Sequence, residues 1–501
     1  MKSLRRVLVA NRGEIALRII RACRDEGIES VAVCSDADAQ APFALAADHV
    51  VRIGPAPPSA SYLRIEALLD AAKSSGADAV HPGYGFLSER AAFARAVEEA
   101  GLTWIGPPSS AIEAMGDKTS ARRLMEGAGV PIVPGALAAL TDDETARTLA
   151  ASLGYPVLVK AAAGGGGKGM RVVQGPEELG SALATAASEA LKAFGDGAVY
   201  LEKLILRPRH VEIQVLADEF RTVHLGEREC SIQRRHQKLV EEAPSVAVDA
   251  DLRERMGHAA VAAAQAVGYR GAGTCEFLLA NDGAFYFLEM NTRIQVEHPV
   301  TELVYGVDLV REQLRIAAGA GMSVRQESLA PRGWAIECRI TSEDPANGLL
   351  PSTGTVSWLR VPSGPGVRWD AGIAAGSVVT LHYDSMLAKL ICHGPTRADA
   401  MDTMRRALAE LVVVGVATNV PFHMALLDDP DFRSGAIDIQ FLERRPDLLE
   451  PALDDALVSR LAVAAALLEE QRRLSRRVSS ASISASDNPA WRAAARREGV
   501  Q

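Results

Sequence analysis

Tyr155-Pro156-Val157-Leu158-Val159-Lys160-Ala161-Ala162-Ala163-Gly164-Gly165-Gly166-Gly167-Lys168-Gly169-Met170-Arg171-Val172-Val173 can be folded in two ways that lead to different proteins. A glycine loop between a strand and a helix is the phosphate loop of a nucleotide-binding α/β unit. A glycine loop between two strands is the tip of a flexible hairpin. Tyr155–Ala161 and Met170–Val173 both read as strands, so the hairpin is expected. Lys168 is followed by Gly169 and not by Ser or Thr, which excludes a Walker A loop. No HRD or DFG triplet follows, which excludes a kinase glycine loop. Glycines allow backbone N–H groups to approach phosphate oxygens. Gly164, Gly165, Gly166, Gly167, Lys168 and Gly169 are therefore candidate phosphate contacts, and a mobile surface loop is the alternative reading.

Lysines flank this loop. Lys160 ends the apolar run Pro156–Val159, which would hold its ammonium beside the glycines. Lys118 follows Gly116-Asp117 at the start of an expected helix over Thr119–Glu126, where the helix dipole already favours anions. Taken singly, each also reads as a solvated surface charge.

A second hairpin carries more chemistry: Thr274-Cys275-Glu276-Phe277-Leu278-Leu279-Ala280-Asn281-Asp282-Gly283-Ala284-Phe285-Tyr286-Phe287-Leu288-Glu289-Met290-Asn291. A two-residue turn at Asp282-Gly283 places Glu276 opposite Glu289. Facing carboxylates repel. Alternation puts Asn291 on the face of Glu289. Two carboxylates and an amide oxygen suit Mg²⁺, a hard cation that shares its oxygen ligands with phosphates. An exposed hairpin face with tolerated repulsion is the other reading, and the flanking Phe277, Leu288 and Met290 argue for burial. Downstream, in Arg293-Ile294-Gln295-Val296-Glu297-His298-Pro299, strand alternation would gather Arg293, Gln295 and Glu297 on one side. A guanidinium, an amide and a carboxylate there fit a small oxyanion and a proton acceptor; a local salt bridge fits the same residues.

Around these segments the chain is long enough for about three domains. Residues 5–115 alternate short strands with helices (a strand at Arg6–Ala10, a helix at Ile15–Glu26, a strand at Ser30–Ser35), which implies a parallel, doubly wound sheet. Residues 334–445 are strand-rich in their first half, with a helix over Arg397–Val412. Ala452–Arg473 is expected to be helical and Ser479–Asp487 loose. With 48% apolar residues and a formal charge of −9, the composition is that of a soluble globular protein without a nucleic-acid footprint. The six cysteines form no CxxC pair, which disfavours zinc and a disulfide framework. The apolar run Val7–Ala10 is too short for a secretory signal, and no stretch has the length of a membrane span. A cytoplasmic protein is expected.

Ala10–Ala16, His81-Pro82-Gly83-Tyr84-Gly85-Phe86-Leu87-Ser88-Glu89, Met115-Gly116-Asp117-Lys118, the glycine loop, Arg234-Arg235-His236-Gln237-Lys238 and Glu289–His298, in this order, resemble the biotin carboxylase family over about residues 4–445. The resemblance implies a mixed α/β and α+β fold. A Rossmann-like domain would occupy 1–115. An ATP-grasp domain would occupy 116–330, with a mobile lid at about 134–203. A mixed, β-rich C-terminal domain would occupy 331–446, and a tail 447–501. It also implies that Lys118, Lys160, His210, Gln233 and His236 contact ATP, with Glu202 and the Leu204 backbone at the adenine. Glu276, Glu289 and Asn291 would hold Mg²⁺ or Mn²⁺. Lys238, Arg293, Gln295 and Val296 would bind bicarbonate. Glu297 would be the general base, and Arg339 would stabilise the biotin enolate. Ala163 departs from the longer glycine run of many relatives. No Met-Lys-Met biotinylation motif is present. The expected partners are therefore a biotin carboxyl carrier protein, separate from this chain, and a separate carboxyltransferase subunit. The chain is also expected to form a homodimer. The implied reaction is the first half-reaction of acetyl- or acyl-CoA carboxylase, the entry to fatty acid biosynthesis, or of a two-subunit pyruvate carboxylase. A non-catalytic scaffold of the same fold is the reading from another class.

Overall fold

The computed structural model describes residues 4–136, 140, 142–161, 170–235, 237–449 and 455–481. Its first sheet is parallel, in the order β3-β2-β1-β4-β5, built from β1 (Arg6–Val9), β2 (Glu29–Ser35), β3 (His49–Gly54), β4 (Ala79–His81) and β5 (Thr103–Trp104). Alternation along β1 explains the double winding. Val7 and Val9 pack with Ile15, Ile19, Ala22 and Cys23 of the helix Gly13–Asp25, while Leu8 and Ala10 pack with helices Ile65–Ser75 and Ala91–Glu99 on the other face. The strand order reverses between β1 and β4. Open α/β sheets bind ligands beyond the carboxyl ends of their strands at this switch point.

The strands expected on either side of the glycines are present and paired. β6 (Val157–Ala161) pairs antiparallel with β7 (Arg171–Val173) and with β8 (Val199–Lys203). This small sheet has its own apolar core, with helices Asp143–Leu153 and Leu179–Phe194. The glycines themselves, with Lys168, lie outside the described residues.

The central sheet has eight antiparallel strands. β9 (Arg209–Ala217), β10 (Thr222–Arg234), β11 (Gln237–Ala243), β12 (Gly271–Leu279), β13 (Phe285–Asn291) and β14 (Trp334–Thr341) stand in the order β13-β12-β9-β10-β11-β14, and Met386–Gly394 and Val367–Ala371 extend it. The boundary expected at 330/331 therefore falls between strands of one continuous sheet. The β12–β13 turn differs from expectation. It is a three-residue loop, Asn281-Asp282-Gly283, closed by Ala280 and Ala284, with Gly283 at φ 82°, a conformation that favours glycine. This moves the pairing by one residue, so that Phe277 faces Phe287. A bulge at Leu288 then moves it back, and Glu276 faces Glu289 after all.

The segment after Glu450 forms a separate unit, a helix over Asp455–Ala481. The helix includes Ser479 and Ser480, where the serine-rich composition suggests a loose segment. The six cysteines are buried thiols.

Candidate active site

Along β9 the residues divide by face. Val211, Ile213 and Val215 enter the core beneath helix Ala250–Ala266, and His210, Glu212 and Gln214 point the other way, all buried. Strand register lines up Arg228 of β10, Glu212 of β9, Glu276 of β12 and Glu289 of β13 in one row across the sheet. Carboxylates on neighbouring strands are tolerated because cations meet them. Arg228, fully buried, donates through Nε to Glu212 Oε1 at 2.5 Å. Lys238, from β11, donates to Glu212 Oε2 at 2.6 Å, Glu276 Oε1 at 2.9 Å and Glu297 Oε1 at 2.7 Å. An ammonium has three N–H donors, and here a carboxylate meets each one.

Arg339 extends the network. Its Nη2 donates to Glu297 Oε2 at 3.0 Å and its Nε to Glu241 Oε1 at 2.6 Å. Burial opposes the charge on Glu276 and Glu297. The neighbours overcome it: Lys238, joined by His210, holds Glu276 below the ordinary carboxylate range, and Lys238, Arg339 and Arg228 hold Glu297 well below it. For the two remaining carboxylates burial prevails and favours the protonated form. Glu241 faces Glu337 in register on β14. Burial pushes Glu241 up to about 7 and Glu337 well above its ordinary value.

This has a consequence for stability. Between its ordinary value of 4.5 and about 7, Glu241 stays protonated in the folded chain, whereas its unfolded counterpart has lost the proton. Its contribution is therefore fully present at low pH and is lost as pH rises through that window. Glu241→Gln is expected to remove this slope. The thermal midpoint of the wild type relative to the variant should fall between pH ~5 and ~7.5, and an equal gap at both would refute the assignment.

The Arg293–Glu297 segment is not a strand. It is a loop leading into the helix His298–Tyr305, yet it gathers the expected side chains. Arg293 donates to Gln295 Oε1 at 2.5 Å and to Asn291 Oδ1 at 2.7 Å, and Gln295 donates to Glu276 Oε1 at 3.1 Å. Ile294, fully buried, turns away into the core. A cavity of about 960 Å³ is lined by Lys160, Glu202, Leu204, His210, Gln233, Lys238, Glu276, Glu289, Asn291, Arg293, Gln295, Val296 and Arg339, a volume within the ligand-pocket range of roughly 300–1,000 Å³. Glu297 lies buried behind Lys238 and Arg339. At the end of the cavity where ATP is expected, Lys160 Nζ is 2.5 Å from Glu202 Oε2, Arg122 binds the other Glu202 oxygen, and the Leu204 N–H donates to Pro156 O at 3.3 Å. Gln233 Nε2 reaches His210 Nδ1 at 3.0 Å. Lys118 begins the helix Lys118–Gly127, which Asp117 caps; its side chain, like His236, lies outside the described residues.

Glu276, Glu289 and Asn291 fit a hard divalent cation. They offer oxygen donors from two paired strands; in this structure the Asn291 amide N–H donates to Glu276 Oε1 at 2.9 Å while its Oδ1 accepts from Arg293. His210, Glu212 and Glu276 also lie within ligating distance of one another, as do Glu212, Cys230 and Glu297. In both groups the Lys238 ammonium supplies the positive charge.

Sequence reading missed Glu212, Arg228, Glu241 and Lys389, all buried, although the polar face of β9 was a visible signal. It also gave no role to Asn11–Ile15 or Tyr84–Phe86, which line the cavity from the carboxyl ends of β1 and β4.

A sheet-borne carboxylate cluster, a small antiparallel sheet whose Lys160 lines the cavity and a Rossmann-like sheet closing one side define an ATP-grasp enzyme. Three family models match in order: "Biotin carboxylase, N-terminal domain" at 3–112, "Carbamoyl-phosphate synthase L chain, ATP binding domain" at 117–325 and "Biotin carboxylase C-terminal domain" at 337–444. The chain is 52% identical over 442 residues to biotin carboxylase 1 of Bacillus subtilis, covering 88% of this chain and 98% of that one. It is 52% identical over 439 residues to a pyruvate carboxylase component of Methanothermobacter thermautotrophicus, covering 87% and 89%. Among solved structures, the biotin carboxylase domain dimer of Hydrogenobacter thermophilus 2-oxoglutarate carboxylase, in complex with MgADP, ADP and bicarbonate, matches with a TM-score of 0.85 at 47% identity, over 90% of this chain and all of that one. The chain belongs to the biotin carboxylase family of ATP-dependent carboxylases. No helix among the described residues is long and apolar enough to cross a membrane.

Proposed function

We propose that this chain carboxylates biotin presented on a separate carrier protein, using ATP, Mg²⁺ and bicarbonate, as the first half-reaction of an acetyl- or acyl-CoA carboxylase in the cytoplasm. The observation that carries the proposal is the convergence of Lys238 on Glu276 and Glu297. It couples the metal-binding carboxylates to the proposed base beside the oxyanion-binding Arg293 and Gln295. In this reading residues 1–115, 116–330 and 331–446 act as three domains around one cavity. Lys118, Lys160, His210, Gln233 and His236 hold the nucleotide, Glu202 and Leu204 its adenine, and the lid at 134–203 closes the glycine loop over the phosphates.

Arg293, Gln295, Val296 and Lys238 would hold bicarbonate. Glu297 would take its proton while a bicarbonate oxygen attacks the γ-phosphorus and ADP departs, giving carboxyphosphate. Glu276, Glu289 and Asn291 would hold Mg²⁺ (or Mn²⁺), which supplies charge neutralisation at the phosphates. Carboxyphosphate would release CO₂ and phosphate. The phosphate would accept the ureido N1′ proton, and the enolate, stabilised by Arg339, would attack CO₂. Water destroys carboxyphosphate, which is the physical reason for a lid. The carboxyltransferase partner selects the final acceptor. The Methanothermobacter relative, named for pyruvate carboxylase, keeps pyruvate as the second reading of that acceptor. The Hydrogenobacter domain dimer supports a homodimer here.

Purified protein should cleave ATP only with bicarbonate, and free biotin should stimulate it. Cleavage supported by an amine or amino acid in place of bicarbonate would sink the proposal. Replacing both Glu276 and Glu289 with glutamine should raise the Mg²⁺ concentration needed for half-maximal rate by at least about tenfold, because two anionic ligands are lost. An unchanged requirement would remove them as ligands.

A further inference from the structure

Two fully buried side chains grip successive carbonyls of the Thr292–Glu297 loop. His298 Nδ1 lies 2.8 Å from the Gln295 carbonyl oxygen. A carbonyl oxygen only accepts, so Nδ1 carries the proton. The other ring nitrogen has no hydrogen-bond partner among the described residues. Burial, joined by Lys389, Arg18 and Arg368, holds the ring well below the ordinary imidazole value, which leaves it neutral in one tautomer. Lys389 donates to the Val296 carbonyl at 2.7 Å and lies 3.1 Å from Glu14 Oε1. Neither His298 nor Lys389 lines the cavity.

The described cis peptide bonds are Tyr155-Pro156 and Ala243-Pro244, so the peptides of this loop are trans. In a planar trans peptide the C=O and N–H point in opposite directions. The hold of His298 on the Gln295 carbonyl therefore turns the Val296 N–H to the opposite side, and Lys389 fixes the next peptide plane. Among the described residues the Val296 N–H has no hydrogen-bond partner. Val296 is half-buried and lines the cavity beside Arg293 and Gln295. A free N–H on a loop that also brings a guanidinium and an amide to the cavity is an oxyanion donor in waiting.

We propose that His298 and Lys389 are positioning residues that aim the Val296 N–H at bicarbonate by fixing the Gln295 and Val296 carbonyls. The proposal rests on the reading of Arg293, Gln295 and Val296 as the bicarbonate site. It adds a link to the N-terminal domain. Lys389 reaches the loop from strand Met386–Gly394, and its counter-charge Glu14 opens the helix Gly13–Asp25 and accepts from Tyr84 Oη. Docking of the first domain thereby sets the geometry of a loop nearly 300 residues downstream.

The test compares His298→Asn, which keeps a donor near the Nδ1 position, with His298→Gln, which carries its amide further out, and with Lys389→Met. Loss of one oriented donor should raise the KM for bicarbonate about tenfold in His298→Gln and Lys389→Met. His298→Asn should stay within about threefold of wild type, and ADP affinity by equilibrium binding within about twofold in all three. If Lys389→Met does not fold, the His298 pair decides alone. Folded variants with wild-type bicarbonate KM, or with ADP affinity lost in parallel, would overturn the positioning role. Wild-type ATP cleavage that ignores bicarbonate would instead overturn the site reading beneath it.

Discussion

Glu297→Gln is expected to slow bicarbonate-dependent ATP cleavage by about 10²–10⁴-fold, the usual contribution of a positioned general base. Glu297 is fully buried, with one oxygen on Lys238 and the other on Arg339. Burial alone would favour its protonated form; the three cations around it win and hold it well below the ordinary carboxylate range. The carboxylate therefore stays ionised and ready to accept a proton at any pH where the site is assembled. Any acid limb of the rate profile that belongs to Glu297 must lie below the ordinary carboxylate range. Glutamine keeps the volume and loses the proton-accepting charge. ADP affinity should change little, because Glu297 lies behind the groups proposed to bind bicarbonate and not at the proposed nucleotide end. The measurement is kcat at saturating bicarbonate, with Glu297→Asp as a control that keeps the charge. A folded glutamine variant within tenfold of wild type would remove Glu297 from the role of base.

The two hairpins were legible for different reasons. The glycine segment was decided by what flanks it, because two short apolar runs leave no room for a helix, and β6 and β7 pair accordingly. The Glu276–Glu289 pairing was reached by a route the chain does not take. The turn is one residue longer than Asp282-Gly283 alone would make it, and the bulge at Leu288 cancels the difference. A bulge has no reliable residue signature, so the recovery was not legible, although Phe277, which packs against Phe285 and Phe287, marks where the shifted register is held. Arg293, Gln295 and Glu297 converge for a reason alternation cannot supply. They sit on a loop whose carbonyls are tied down by His298 and Lys389. Glu212, Arg228 and Glu241 stayed unread because a charged residue in a strand looks alike in sequence whether it faces water or a buried counter-charge. Their partners lie on strands whose neighbours follow from tertiary topology. The alternation of His210, Glu212 and Gln214 with Val211, Ile213 and Val215 is the exception: two faces, both buried, one of them polar.

Lys238→Met should be the most damaging single change in the site, abolishing measurable turnover and destabilising the fold by about 3–5 kcal/mol, the range for breaking a buried ion pair by removing one partner. Glu212, Glu276 and Glu297 converge on this ammonium. Arg228 also serves Glu212 and Arg339 also serves Glu297, whereas Glu276 meets no arginine among the described residues: beside Lys238 it has His210 Nε2 at 3.2 Å and the neutral amides of Asn291 and Gln295. Without the lysine the carboxylates must part, recruit a cation or take up protons. Lowering the pH should therefore recover stability in Lys238→Met, since protonation removes the repulsion. It should not recover activity, since a protonated Glu297 cannot act as a base. Lys238→Arg separates charge from geometry. A guanidinium restores one positive charge, but its donors lie in a plane and cannot meet three carboxylates converging from the row on β9 and β12 and from the loop before His298. The arginine variant should regain part of the lost stability and little of the turnover. Full activity in that variant would mean that charge alone matters at this position, and that the three-carboxylate geometry is not what makes Glu297 competent.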